Sequence, residues 1–273
     1  MNFKDRLCAM NCHYRFYELE DFFQSVHKLG MHYVELWSGP MHFYVDARRH
    51  DSPKQLKKLC DRYRITIIGI CPEQTNPKPN NIAVKQKHRQ EEVLAYYRQM
   101  IDIACELECR QVLVTSGWGY YSEAVEEAWN RSVVMMKRIT AYAKQRNVIL
   151  ALEALQPEES RLVNTIQDIQ RYRNEVGSSC LKVCIDFGAM ARMGHTPREY
   201  FEAFGNDIVH IHFVDGNPTG HLAWGDGSRD LKADLAALEE YDYQGYLSLE
   251  TATQRYYEKP WSAEMKTLKS FEE

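Results

Sequence analysis

The sequence predicts an α/β fold, a single closed (β/α)8 (TIM) barrel, and three observations carry that prediction. Eight apolar or β-branched runs alternate with eight stretches of helical period. No composition break or long linker divides the 273 residues, a length that one barrel fills by itself. Four of the later runs close on a ligand-type side chain, Glu153, Asp186, His212 and Glu250, spaced by roughly 30 residues, about one strand-plus-helix unit each. The prediction therefore takes residues 1–273 as one barrel domain.

In chain order, residues 6–11 form the first strand, and Leu19, Phe22, Val26 and Leu29 share one face of a helix that Gly30 stops. Residues 33–37 form the second strand. Ser52 and Pro53, a cap and a proline at the first helical position, open a helix carrying Leu56, Leu59 and Tyr63. Residues 65–71 are continuous and β-branched, as a strand covered on both faces should be, and a loop rich in Pro and Asn follows over 72–82. A helix over 87–107 keeps Val93, Tyr97, Ile101, Ala104 and Leu107 in period, and the fourth strand covers 111–115. The next helix ends near Arg146, and its stripe of Trp129, Val133, Met136, Thr140 and Ala143 reads as core packing. Strands follow at 148–153, 182–186, 209–212 and 245–251. Between them lie helices that start near Thr165, run from Thr196-Pro197 to Gly205, and cover 230–241; a last helix closes the chain. A doubly wound nucleotide binder would show a Gly-rich turn after its first strand, where this chain has Asn11-Cys-His-Tyr-Arg15.

Composition narrows the function classes. Hydrophobic residues make up 44% and charged residues 26%, and no apolar run approaches the roughly 20 residues of a membrane helix. A formal charge of −4 offers no basic footprint for nucleic acid. The start, Met-Asn-Phe-Lys-Asp-Arg, lacks the apolar segment of a secretion signal, so a reducing cytoplasm is expected. The eight cysteines, which never form Cys-x-x-Cys, are then expected to be buried, inert thiols.

A carboxylate that closes an apolar strand needs a partner, because burying it ionised costs several kcal/mol. In a barrel, Glu153, Asp186, His212 and Glu250 converge on the C-terminal face of the sheet. One strand-end Asp or His alone reads as a loop cap; four on four successive strands argue for one divalent metal ion. Three carboxylates and one imidazole suit Mn²⁺, Co²⁺ or Mg²⁺, with Zn²⁺ also admissible. His210 shares a strand face with His212 and sits one layer deeper, as a packed or supporting group. Trp37, Trp118 and Trp224 fall near the same rim, where rings stack on the apolar faces of sugars.

Across 33–40 (Tyr-Val-Glu-Leu-Trp-Ser-Gly-Pro), 72–76 (Pro-Glu-Gln-Thr-Asn), 153–160 (Glu-Ala-Leu-Gln-Pro-Glu-Glu-Ser), 210–215 (His-Ile-His-Phe-Val-Asp), 221–227 and 248–250, the chain resembles the xylose isomerase-like TIM barrel superfamily. Within it the resemblance is to the ketose 3-epimerases, and among those to the fructoselysine 3-epimerases. It implies a divalent-metal-dependent isomerase: a sugar 3-epimerase with Glu153, Asp186, His212 and Glu250 as metal ligands and Glu153 and Glu250 as the acid/base pair. Expected substrate contacts are Glu159, His221, Trp118, Glu73 and Trp37. One Glu removes the proton next to the ketone, the metal holds the cis-enediolate, and the other Glu reprotonates from the opposite face. Return of the proton to the adjacent carbon would make the protein an aldose–ketose isomerase. A non-catalytic sugar-binding barrel is the other alternative, although a binder needs no base on both faces of the sugar.

Tagatose-type epimerases carry a His where this chain has Ala189 and an Arg where it has Pro218, a difference that favours a bulkier or modified ketose. The cations near the site (Lys78, Lys85, Arg161, Arg192) are few and no Gly-rich phosphate cradle occurs, so an unphosphorylated ketose or ketose–amine adduct is expected. The apurinic endonucleases of the superfamily hold three zinc ions with extra His ligands; here those strand ends read Cys71-Pro-Glu73, Thr115-Ser116 and Ala189, which sets the nuclease reading aside. The expected partner is a small sugar, with no nucleic acid or membrane, and self-association into a dimer or tetramer is expected.

Overall fold

The computed structural model describes residues 3–76 and 78–272; Met1, Asn2, Glu273 and Pro77, the last inside the predicted 72–82 loop, lie outside the described residues. Strands β1 (Leu7–Met10), β2 (Tyr33–Trp37), β3 (Thr66–Cys71), β4 (Gln111–Val114), β5 (Ile149–Glu153), β6 (Leu181–Asp186), β7 (Ile208–His212) and β8 (Leu247–Leu249) pair in sequence order, all parallel. β8 pairs back onto β1, so the barrel closes. Around it run α1 (Leu19–Lys28), α2 (Pro53–Tyr63), α3 (Lys87–Glu106), α4 (Val125–Gln145), α5 (Ile166–Val176), α6 (Phe187–Arg192), α7 (Pro197–Phe204), α8 (Leu231–Glu240) and α9 (Trp261–Ser270).

Some of the helices start where side chains can hold their first free N–H groups. Thr165 and Asp168 form a reciprocal capping box on α5, and Thr196 and Glu199 do the same on α7. Ser52 occupies the capping position of α2 without a side-chain bond, so Pro53 at the first turn carries that start alone. The short α6 was not expected from the sequence. β8 is shorter than the predicted 245–251, because Thr251, Ala252 and Thr253 turn their N–H groups to carbonyls two residues back at 2.8–2.9 Å and so leave the ladder.

Two packing zones result. Outward strand residues such as Val34, Leu36, Ile67, Val112, Leu150 and Val183 meet helix faces, including the fully buried stripe Trp129, Val133, Met136, Thr140 and Ala143 of α4. Met10, Cys12, Cys71, Leu113, Ala151 and Cys184 form a separate apolar cluster with no link to that mantle. All eight cysteines are free, but only Cys8, Cys12, Cys71 and Cys184 are buried; Cys60, Cys105, Cys109 and Cys180 are half-buried, packed at the edge of the helical layer rather than within it. The register slips between Val34 and Glu35 against β3, and between Val183 and Cys184 against β7, irregularities that re-aim side chains near the barrel centre. No helix among the described residues is long and apolar enough to cross a membrane.

The loop after β7 is built on one carboxylate. Buried Asp215 accepts the backbone N–H groups of Gly216 (2.7 Å), Gly225 (3.1 Å), Gly227 (2.8 Å) and Arg229 (3.1 Å). Gly227 has to be glycine, since a Cβ there would stand 2.3 Å from Asp215 Oδ1. Asp215 also pairs with Leu222 in an antiparallel bridge, which fixes the neighbouring His221. Asp215→Ala is expected to lower the unfolding free energy by about 3 kcal/mol or more, because four backbone donors in and around the loop lose their shared side-chain acceptor. Urea titration checks this; a shift below about 1 kcal/mol would show that water replaces the carboxylate at little cost.

Candidate metal and active site

Glu35 sets the floor of the site. Period-two geometry points residues 33, 35 and 37 of β2 inward, and Glu35 ends up almost completely buried at the barrel centre. Its Oε2 accepts from Ser248 Oγ (2.6 Å), His210 Nε2 (2.8 Å) and His212 Nε2 (3.2 Å). Burial works against its ionisation, yet His210 and His212 hold its carboxyl well below the ordinary value. When Nε2–H of His212 is given to Glu35, the other ring nitrogen is left to hold either a proton or a cation.

That nitrogen meets negative charge. His212 Nδ1 lies 2.7 Å from Glu153 Oε1 and 3.0 Å from Glu250 Oε2, without hydrogen-bond geometry to either. Contacts this short between acceptors demand positive charge among them, either a proton on Nδ1 or a cation. Burial lowers the imidazole's proton affinity, but the surrounding carboxylates, Glu250 foremost, hold it well above its ordinary value. Asp186 completes the set with a divided carboxylate: one oxygen accepts from Ala189 N at 2.5 Å and caps α6, while Oδ2 is buried with no hydrogen-bond partner among the described residues. The capping and ligating readings of a strand-end Asp are thus both available to Asp186, on different oxygens.

One ligand atom from each of Glu153, Asp186, His212 and Glu250 lies within 4.8 Å of the others. Three carboxylates, one of them with an oxygen that has no hydrogen-bond partner among the described residues, and an imidazole nitrogen that a cation could take in place of a proton fit a hard or borderline divalent cation. Burial pushes Glu153 up to about 8 and raises Asp186; it works the same way on Glu250, where His212 and His221 outweigh it and lower the carboxyl. A second group, Cys184 with His210 and His212, fits a cation less well. Burial pushes the Cys184 thiol well up, and Glu35 already takes Nε2 of both imidazoles.

A cavity of about 580 Å³ opens above these residues, lined by Glu153, Asp186, Glu250, Glu159, His221, Glu73 and Trp37 among others. Burial raises the Glu159 carboxyl, and one of its oxygens accepts from Gln156 N at 3.1 Å. Glu73 is tied to Lys78, 2.5 Å away. His221 Nδ1 lies 3.1 Å from the Glu250 carbonyl oxygen. The Trp37 indole forms part of the wall because Gly39 leaves room for it; a Cβ at Gly39 would stand 2.1 Å from the ring. A groove of about 410 Å³ between α1 and α9, walled by Tyr14, Leu29 and Trp261, contains none of the four ligand-type residues.

One expectation is corrected. Trp224 is 1% exposed, packs on Phe213 and gives its N–H to the Phe213 carbonyl, so it belongs to the core under the loop and not to the sugar-facing rim. Trp118 lines an adjoining groove with Tyr120, Tyr121 and Arg161, which shares Thr75, Asn76 and Glu159 with the main cavity; it flanks the site rather than walling it. Two residues escaped the sequence reading. Glu35 had a signal, a charge at an inward position of an apolar strand. Arg15 had none, because only the turn after β1 carries it to the cavity.

A family model for the xylose isomerase-like TIM barrel matches residues 23–271. The chain is similar to the fructoselysine 3-epimerase of Shigella flexneri, at 28% identity over 244 residues that span 89% of this chain and 88% of that protein. Among solved structures it is similar to a 3-keto-D-glucoside 4-epimerase from E. coli, with a TM-score of 0.79 and 15% identity over 97% of this chain and 99% of that one. It is also similar to the IOLI protein with a binding zinc atom, with a TM-score of 0.76 and 20% identity over 98% and 96% of the two chains. At these identities the structural likeness shows the fold alone.

If Glu35 fixes the His212 tautomer, Glu35→Gln should weaken Mn²⁺ binding by about 10–100-fold, the usual effect of losing a partner behind a ligating His. Titration calorimetry on the metal-stripped protein reads this, and an unchanged Kd in a folded variant would assign Glu35 to packing alone.

Proposed function

The chain belongs to the xylose isomerase-like TIM barrel family, and from that premise we propose that it is a divalent-metal-dependent sugar epimerase acting on the carbon next to the ketone of a ketose or modified ketose. One observation carries the reading: the carboxylates of Glu153 and Glu250 meet at His212 Nδ1 from β5 and from the turn after β8, at the base of a sugar-sized cavity. The 28% identity to a fructoselysine 3-epimerase supports the same class.

A divalent cation held by Glu153, Asp186, His212 and Glu250 would polarise the ketone and acidify the adjoining C–H. Glu153 ends β5 and Glu250 follows β8, strands three positions apart around the barrel, and in this scheme they reach a bound sugar from different sides. One carboxylate takes the proton from the carbon beside the ketone and the other returns a proton from the opposite side, which inverts that centre. Positioned acid/base groups of this kind contribute about 10²–10⁴-fold. His221 and Glu159 would orient hydroxyls across the cavity, and Trp37 would stack on an apolar sugar face, with Glu73 as a further contact and Trp118 reaching only a long substrate. The proposal extends to Mn²⁺, Co²⁺ or Mg²⁺ as the ion, with Zn²⁺ admissible, and to a cytoplasmic setting. It also includes a dimer or tetramer, for which exposed Phe16 and Met41 offer apolar surface.

Chelation is expected to abolish deuterium uptake from D₂O into the substrate, and Mn²⁺ or Co²⁺ to restore it; full exchange by protein shown metal-free by elemental analysis would overturn the proposal. Glu153→Gln and Glu250→Gln, each checked for metal content, should lower net epimerisation by at least about 10²-fold. Each should still label, without inverting, the one epimer whose proton faces the surviving carboxylate, with opposite choices in the two variants. Labelling of the same epimer by both would replace the two-base scheme with a single base. Product analysis separates epimerisation from aldose–ketose isomerisation.

A further inference from the structure

Among the cations near the mouth, Arg15 stands apart. Lys78 is held by Glu73, Lys85 by Glu123 at 3.5 Å, and Arg192 by Glu158. Arg161 donates to the carbonyl oxygens of Tyr120 and Glu123 and lies 4.6 Å over the Tyr121 ring. Arg15 lines the same cavity as Glu153, Asp186 and Glu250, and among the described residues it has no acidic partner. Its Nε–H is given to the Cys12 carbonyl at 3.1 Å, and its guanidinium carbon lies 4.9 Å from the Tyr257 ring centroid and 5.4 Å from that of Trp37. The rings and the Cys12 carbonyl fix the plane of the group, while its two terminal amino groups make no hydrogen bond among the described residues. A half-buried, oriented and unpaired fork of this kind is built for a planar anion.

We infer that Arg15 is a specificity-determining residue that binds a carboxylate carried by the substrate at the end away from its ketone. This rests on the epimerase reading, whose site it deepens. The cavity of about 580 Å³ lies well inside the range for drug-sized ligands, so a ketose seated at the four-ligand end leaves room for an appendage. A carboxylate is favoured over a phosphate because one guanidinium satisfies it with two parallel bonds, whereas phosphate sites recruit several cationic or backbone donors. Lys78, the other strong cation of the wall, is already neutralised by Glu73.

The test compares two fructose–amine adducts with the same short alkyl tail, one ending in a carboxylate and one in a primary amide, together with fructose and a fructose phosphate. Binding to Mn²⁺-supplemented protein is measured by calorimetry, and C3 deuterium exchange is measured in parallel. The wild type should bind the carboxylate adduct at least about tenfold more tightly than the amide, the scale of a charge-assisted pair. Arg15→Gln should bring that ratio close to one, chiefly through KM where exchange is measurable, and Arg15→Lys, a point charge without the fork, should restore only part of it. Equal binding of the two adducts by the wild type, an unchanged ratio in Arg15→Gln, or tenfold preference for the phosphate would each overturn the inference. Binding discrimination without exchange of any substrate would instead sink the epimerase reading and leave Arg15's role standing.

Discussion

Everything at the C-terminal mouth depends on compensating buried negative charge around one imidazole. Glu35, Glu153 and Asp186 are buried and Glu250 nearly so, and each contacts or faces His212 or its neighbours. In so poor a solvent an unpaired carboxylate costs several kcal/mol, so these groups cannot have been placed without partners. The floor solves this internally, with three donors converging on one Glu35 oxygen. The layer above needs positive charge, a proton on His212 Nδ1 or a cation: among the described residues Asp186 Oδ2 and His212 Nδ1 lack hydrogen-bond partners, and the carboxylates crowd the same nitrogen. A divalent cation would answer that arrangement, and under the proposed epimerase reading the same cation would polarise the ketone.

The surrounding loops have the job of holding this layer still. Asp186 leaves β6 and caps α6 at once, which fixes its free oxygen relative to the sheet. Asp215, three residues beyond His212, gathers four backbone N–H groups and so sets the loop that brings His221 against Glu250. These anchors are charge-assisted hydrogen bonds to backbone, stiffer than apolar packing could make a loop. Trp224 contributes from below, filling the space between that loop and Phe213, so its aromatic surface serves stability rather than recognition.

The cavity carries both signs of charge: Glu153, Asp186 and Glu250 line it, and so does Arg15, which lies over the rings of Trp37 and Tyr257 and whose terminal amino groups make no hydrogen bond among the described residues. The adjoining groove with Trp118 and Tyr121 continues past Thr75, Asn76 and Glu159. Under the proposed epimerase reading such a shape would admit a substrate longer than one sugar, as expected from Ala189 and Pro218 where tagatose-type epimerases carry His and Arg.

The sequence by itself determined the barrel and the four ligand-type residues, because both are written in local pattern. Period-two and period-3.6 repeats locate strands and helices, and a polar residue that closes an apolar run marks a strand end whose face the barrel topology then dictates. Thr165, Thr196 and Pro53 signalled their helix starts for the same local reason. Contacts between distant segments are not written that way. That Glu35 would receive His210, His212 and Ser248 depends on the lateral order of β2, β7 and β8 around a closed sheet and on a register slip beside Glu35. That Trp224 would turn inward while Trp37 faced the cavity depends on loop paths fixed by Asp215 and Gly39. Arg15 gained its place only when the turn after β1 folded against rings from β2 and from residue 257. Local propensity selects elements, but which side chains meet across a barrel is decided by closure, because only closure brings strands far apart in sequence within hydrogen-bond reach.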